Sequence, residues 1–380
     1  MALVALLAAS RADGWRLPAW CAGIAAIVLG VASLGFPGEV GALGTVWASA
    51  AVAWGVAFIT AAQVLIRPTP MGKVSNSARQ VMMATSKLAR PGYEAAATTA
   101  RWLSALTAVL VAGVSATGLW VSGLYTEGAA LEAMFRGYDL VTLVVVAPLL
   151  ALTLLPAWRD RPASELVRVS MLAFCVYNYT YYLCGAQLNT ALLAHVAVFT
   201  TSLYGLVLSL VAVDVGGLAA RFRRRTPVST VAVILLLLAV PLAAIQISGL
   251  AGFAFTGAAP DEPSQLVVTA TFTRLGAVLD LSLLVPAYLI AAVWLWRRRA
   301  WGYLLATVVL LAGALHQISY IAGMLFQLAA DIPGAGFDPY EPVILGLFAV
   351  GSGLLLAGRR PARSDTSPAG PDRRHALAGR

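Results

Sequence analysis

Three observations predict an all-α, polytopic membrane helix bundle. Of 380 residues, 60% are hydrophobic and 11% charged, whereas soluble domains carry about 25% charge. Stretches of about 20 mostly apolar residues, the length that crosses a bilayer as a helix, recur along the chain. The basic residues gather in alternate connections between those stretches, as membrane orientation demands. The net charge of +9 therefore reads as orientation rather than a nucleic-acid surface. The expected partner is the lipid bilayer, not nucleic acid.

Ten stretches have the length and composition of a span: 18–36, 44–66, 102–124, 138–157, 167–186, 190–214, 228–249, 275–296, 301–328 and 342–358. With the amino terminus in the cytoplasm, 24 of the 26 Lys and Arg residues fall inside, and only Arg136 and Arg274 fall outside. The outer connections then hold Glu39, Glu127, Glu132, Asp261, Glu262, Asp331, Asp338 and Glu341. Both termini are expected to be cytoplasmic. Met1 to Ala9 is too short to span and lacks a basic leading region, so it reads as a surface segment rather than a cleaved signal. Cys175 and Cys184 lie nine residues apart on one expected helix, roughly 13 Å by helical rise, and cannot bridge.

The organisation read from these runs is a surface segment with two spans (1–66), a basic segment (67–101), two four-helix units (102–220 and 221–358) and a disordered tail (359–380). In 67–101, Val74, Ala78, Val81, Met82, Leu88 and Ala89 recur at helical spacing beside Lys73, Arg79, Lys87 and Arg90. That pattern predicts an amphipathic helix on the inner leaflet, ended by Pro91-Gly92. The two units read as parallel repeats at an offset of 138 residues. Arg136 recurs as Arg274, Pro148 as Pro286, Trp158 as Trp296, Arg159 and Arg161 as Arg297 and Arg299, Tyr182 as Tyr320, and Gly185 as Gly323. The arrangement is 2+4+4.

Polar groups inside spans are costly and are functional candidates by default. Asp139 stands three residues after Arg136, close enough on a helix to pair with it. Asp280 lies about 7 Å into its span by helical rise, six residues beyond Arg274. In 167–186, Tyr177, Asn178, Tyr181, Tyr182 and Gly185 share a sector of about 140°. In 301–328, His316, Tyr320, Gly323 and Gln327 share a narrow face, with His316 at the repeat position of Asn178. Asn189 and His195 add polarity to 190–214. The expected ligand contacts are Asn178, Tyr181, His195, Asp280 and His316. Arg136, Asp139, Tyr177, Tyr182, Arg274 and Tyr320 are expected in structural or secondary roles, Tyr182 and Tyr320 as an aromatic belt. Pro148, Pro241 and Pro286 can kink their spans and free carbonyls to line a cavity.

No span contains a lysine, which excludes a retinal Schiff base. No nucleotide-binding, zinc-protease, nucleophile-elbow or dithiol motif occurs. No cofactor is expected; the alternative is haem, or a metal shared with Asp139 and Asp280, held by His195 and His316.

Tyr138-Asp-Leu140 and Tyr177-Asn-Tyr-Thr-Tyr-Tyr-Leu-Cys-Gly185, within 135–214, are similar to uncharacterised multi-pass inner-membrane proteins of bacteria. The resemblance implies a bacterial cytoplasmic membrane and no particular activity. The expectation is a transporter or receptor binding a small or amphiphilic ligand in an outward-facing polar cavity between the two units. The alternatives are an intramembrane enzyme acting on lipid or quinone, with His195 or His316 as base, and a non-catalytic accessory subunit.

Overall fold

The computed structural model describes residues 26–27, 45–64, 76–159, 161–257 and 265–359. The expected surface segment, most of the stretch 18–36 and the tail beyond 359 lie outside them. Two compact units are present, Met1–Trp102 with Tyr204–Val213, and Leu103–Leu203 with Asp214–Arg380.

The helices are α1 (Thr45–Val64), α2 (Asn76–Trp120), α3 (Ala129–Leu152), α4 (Pro162–Cys184), α5 (Leu192–Ala212), α6 (Val215–Ala220), α7 (Val228–Thr256), α8 (Ala270–Trp296), α9 (Ala300–Ala329) and α10 (Glu341–Ala357). Among the described residues there is no strand, and Phe222 and Arg359 form an isolated bridge. Among the described residues six segments are long and apolar enough to cross a membrane: Tyr93–Trp120 within α2, and α3, α5, α7, α8 and α9. They fit a multi-pass integral membrane protein. Of the other expected spans, 44–66 falls on α1, 167–186 on α4, whose phenols and Asn178 lower its hydropathy, and 342–358 on the 17-residue α10. Trp120, Val144, Val240, Phe255 and Val343 are each more than half exposed, an outward apolar surface suited to lipid.

One expectation is corrected at Pro91-Gly92, where α2 continues without a break to Trp120. Proline removes one backbone donor, at a cost of about 3 kcal/mol in a helix interior. The long apolar run that follows outweighs that local loss.

Local chemistry sets several boundaries. Thr269 caps α8 by accepting from Phe272 N–H at 3.3 Å, and Asp214 caps α6 by accepting from Gly217 N–H at 2.9 Å. Asp214 thereby satisfies one of the free N–H groups at the start of that helix. Gly257 ends α7 at φ 69°, a left-handed conformation that glycine takes without strain. α4 opens on Pro162 after an extended Arg161, and α9 opens after an extended Arg299.

Within the larger unit, α9 is central and packs on α3, α4, α6, α8 and α10. It meets α3 backbone to backbone. A Cβ at Gly137 would stand 2.6 Å from the Ala322 carbonyl carbon and the Gly323 nitrogen, and one at Gly323 would meet Tyr138 at 3.0 Å. Backbones can touch there because both positions lack a side chain. α3 and α8 each contain a π turn, Thr142–Val146 and Asp280–Leu284, with Pro148 and Pro286 just beyond. The π turns start 138 residues apart.

Gly137→Leu is expected to lower the apparent melting temperature strongly or abolish a monodisperse folded species, since overpacking costs about 1–3 kcal/mol or more. Gly113→Ala, where an added Cβ meets nothing within 4 Å, should be near neutral in the same thermal-unfolding assay.

Candidate functional site

α4 carries its aromatic and polar residues around enough of its circumference to serve two neighbourhoods. Tyr177 and Tyr181 turn toward α8 and α9, whereas Tyr179 and Tyr182 turn toward α3 and α5. Each side surrounds one aspartate.

The first cluster forms around Asp280, the opening residue of the α8 π turn. Tyr177 OH donates to Asp280 Oδ1 at 2.9 Å, and Gln246 Nε2 from α7 donates to Oδ2 at 2.9 Å. Tyr181 OH lies 3.1 Å from Tyr177 OH, extending the chain of polar atoms by one hydroxyl. His316 of α9 packs against three rings, edge-on to Tyr177 at 4.8 Å between centroids, stacked on Tyr181 at 5.9 Å and edge-on to Tyr138 at 6.2 Å. Its Nδ1 is buried without a hydrogen-bond partner. Asp280, Gln246 and His316 are half-buried.

The second cluster is sealed. Asp139 is fully buried; Tyr125 OH donates to its Oδ2 at 2.6 Å and Tyr182 OH to its Oδ1 at 3.1 Å. Tyr182 also packs against His195 at 4.9 Å and against Tyr179 at 5.1 Å. Ser115 Oγ, Tyr179 OH, both ring nitrogens of His195 and both amide atoms of Asn178 are buried without a hydrogen-bond partner among the described residues. Burial pushes the Tyr125 phenol far above its ordinary range, reinforced by the neighbouring Asp139 carboxyl, so Tyr125 stays a donor.

Rings connect the clusters continuously. His195 contacts Tyr182, Tyr182 contacts Phe135 at 4.6 Å, Phe135 contacts Phe272 at 6.1 Å, Phe272 contacts Tyr181 at 4.8 Å, and Tyr181 stacks on His316. At the loop end, a depression of about 470 Å³ is lined by Gly123, Leu124, Thr126, Leu188, Asn189 and Thr190.

Of the expected ligand contacts, Tyr181, Asp280 and His316 come together around Tyr177. His195 belongs to the Asp139 cluster, and Asn178 is buried without a partner, so the five do not share one cluster. The expected Arg136–Asp139 pairing is corrected. Arg136 turns back one helical turn to Glu132 at 3.0 Å, while Asp139 points inward to phenols. Tyr182 is no belt residue, being fully buried on Asp139. Arg274 is exposed and Tyr320 half-buried. Gln327, expected on the polar face of α9, ties three segments by donating to Ala130 O and Val267 O and accepting from Val267 N–H.

Sequence reasoning missed Ser115, Tyr125, Tyr179 and Gln246. Gln246 was detectable as the one long polar side chain in the apolar run of α7. Tyr125 had no such signal, because it sits in a connection and reaches Asp139 only through the fold. Among the described residues no group of three His, Cys, Asp or Glu side chains is close enough to hold a metal ion.

Tyr177→Phe removes a hydroxyl with two polar partners and is expected to cost about 1–3 kcal/mol. Tyr179→Phe removes a hydroxyl with no hydrogen bond of good geometry among the described residues and should change the melting temperature less. Equal losses in thermal unfolding would contradict this assignment of the hydrogen bonds.

No protein-family model matches the chain, and neither a curated protein nor a solved structure was found to be similar to it.

Proposed function

We propose that this integral membrane protein is a transporter or receptor for a small or amphiphilic ligand, bound where half-buried Asp280, His316 and Gln246 meet the buried Tyr177 and Tyr181. The observation that carries this reading is a membrane carboxylate whose neighbours are neutral. Asp280 has a phenol and an amide as donors, with aromatic rings beside them. A carboxylate in a span costs several kcal/mol unless it is compensated, and a cationic ligand would supply the missing charge. Aromatic faces attract the same cation, so the favoured ligand is a basic one with an apolar body.

The parallel-repeat reading belongs to this proposal. It is supported by the shared offset of 138 residues that relates the π turns, Pro148 and Pro286, and the helix starts after Arg161 and Arg299. π turns interrupt regular backbone pairing and are frequent at functional sites. A bacterial cytoplasmic membrane, with both termini inside, is the location proposed from the distribution of basic residues.

Thermal-shift screening of the purified protein against small amphiphilic amines and matched carboxylates tests the ligand class. Stabilisation by amines, lost in Tyr181→Ala and His316→Ala, is expected; stabilisation by carboxylates alone refutes it. For coupled transport, Asp280→Asn should weaken amine binding and abolish uptake into proteoliposomes. Unchanged uptake removes Asp280 from the coupling step.

A further inference from the structure

Among the described residues Asp139 has no countercharge. The nearest cation on its own helix, Arg136, is committed to Glu132. The groups that face the acid from the elements packed around it are Ser115 and Gly118 of α2, Tyr125 of the α2–α3 connection, and Tyr179 and Tyr182 of α4. His195 of α5 stands behind Tyr179 and Tyr182. None is a lysine or arginine. A carboxylate can remain in such an environment by taking up a cation or a proton. Packing favours the proton, because a Cβ at Gly118 would already overlap the carboxylate, leaving no room for an ion on that side.

The hydroxyls around the acid suit a change of protonation. Tyr125 and Tyr182 already occupy its two oxygens, while Ser115 Oγ and Tyr179 OH, both fully buried beside the acid, make no hydrogen bond of good geometry among the described residues. They are spare donors, able to swing onto the acid when it ionises. Leu124 and Thr126, on either side of Tyr125, line the open depression at the loop end.

We propose that Asp139 is a proton-binding site, which holds its proton as the ground state at neutral pH and exchanges it through Tyr125 with water in that depression. In the protonated form the 2.6 Å contact runs from the acid to the Tyr125 oxygen; on release the acid's hydrogen passes along it to that oxygen while the phenol's own hydrogen passes to water, and Tyr125 then donates to the carboxylate. The phenol is unchanged, and the water carries the proton away. This site is independent of whether the Asp280 cluster binds a ligand.

Infrared spectroscopy of the protein in lipid nanodiscs, in an Asp280→Asn background, tests the proposal. At pH 7 the carbonyl stretch of a protonated carboxylic acid in an apolar environment is expected, and it should vanish in Asp139→Asn. Alkaline titration should remove the band, and Tyr125→Phe should move that loss upward by about one pH unit, since the ionised form loses a donor. A band absent at pH 7, or one that persists in Asp139→Asn, overturns the proposal. A band that emerges only when sodium is withdrawn also overturns it, in favour of a metal ion. If Asp139→Asn does not fold, the titrations of the parent and of Tyr125→Phe decide, because both retain the acid: an unshifted loss overturns the proposal.

Discussion

Gly137 of α3 lies directly against the backbone of Ala322 and Gly323 in α9, and the polar interior depends on that contact. Lipid offers apolar side chains as good a solvent as a protein core does, so helices in a membrane are held by close packing and buried polar bonds. Two glycines let the backbones meet. The consequence is positional: Tyr138, next to Gly137, reaches His316, two turns before Gly323. A β-carbon at Gly137 would separate the helices, and one at Gly323 would press on the Tyr138 ring and Met134.

Inside that frame the chain handles its acids in an uncommon way. Buried carboxylates are ordinarily paired with cations, yet Asp139 and Asp280 are held by phenols and an amide. Neutral donors satisfy the oxygens' geometry without cancelling the charge. Each aspartate therefore retains a demand for positive charge. The two differ in access: Asp280 is half-buried and suits a ligand, whereas Asp139 is sealed among rings and hydroxyls. A continuous series of aromatic contacts joins them, so a rearrangement at one has a packed route to the other.

Backbone irregularities sit beside both acids. Asp280 opens one π turn, and Asp139 lies three residues before the other. A π turn adds one residue to the helical circuit and rotates the side chains that follow it. In α3 and α8 the irregularity separates a polar end from a strongly apolar one. The prolines just beyond cannot donate to the preceding turn, so regular pairing is interrupted locally on both helices.

Much of the fold was legible before any coordinates. Hydrophobic length and the low charge content point to membrane helices, and nine of the ten expected stretches fall on helices of the described chain. The face of α9 carrying His316, Gly323 and Gln327 was legible too, because helical periodicity is local. Tyr181, Asp280 and His316 were recognisable one by one from the cost of polar groups in a span. Their grouping was less legible, for the same arithmetic placed His195 and Asn178 with them, whereas α4 turns its residues toward two different neighbours. The sequence by itself determined which apolar stretches are helical and which polar groups need a buried partner, though not that the helix runs on through Pro91-Gly92. The tertiary structure alone decided who that partner is: Tyr125 for Asp139 and Gln246 for Asp280. Periodicity acts within one helix, while hydrogen-bond partners are chosen across helices by where glycines let the backbones approach.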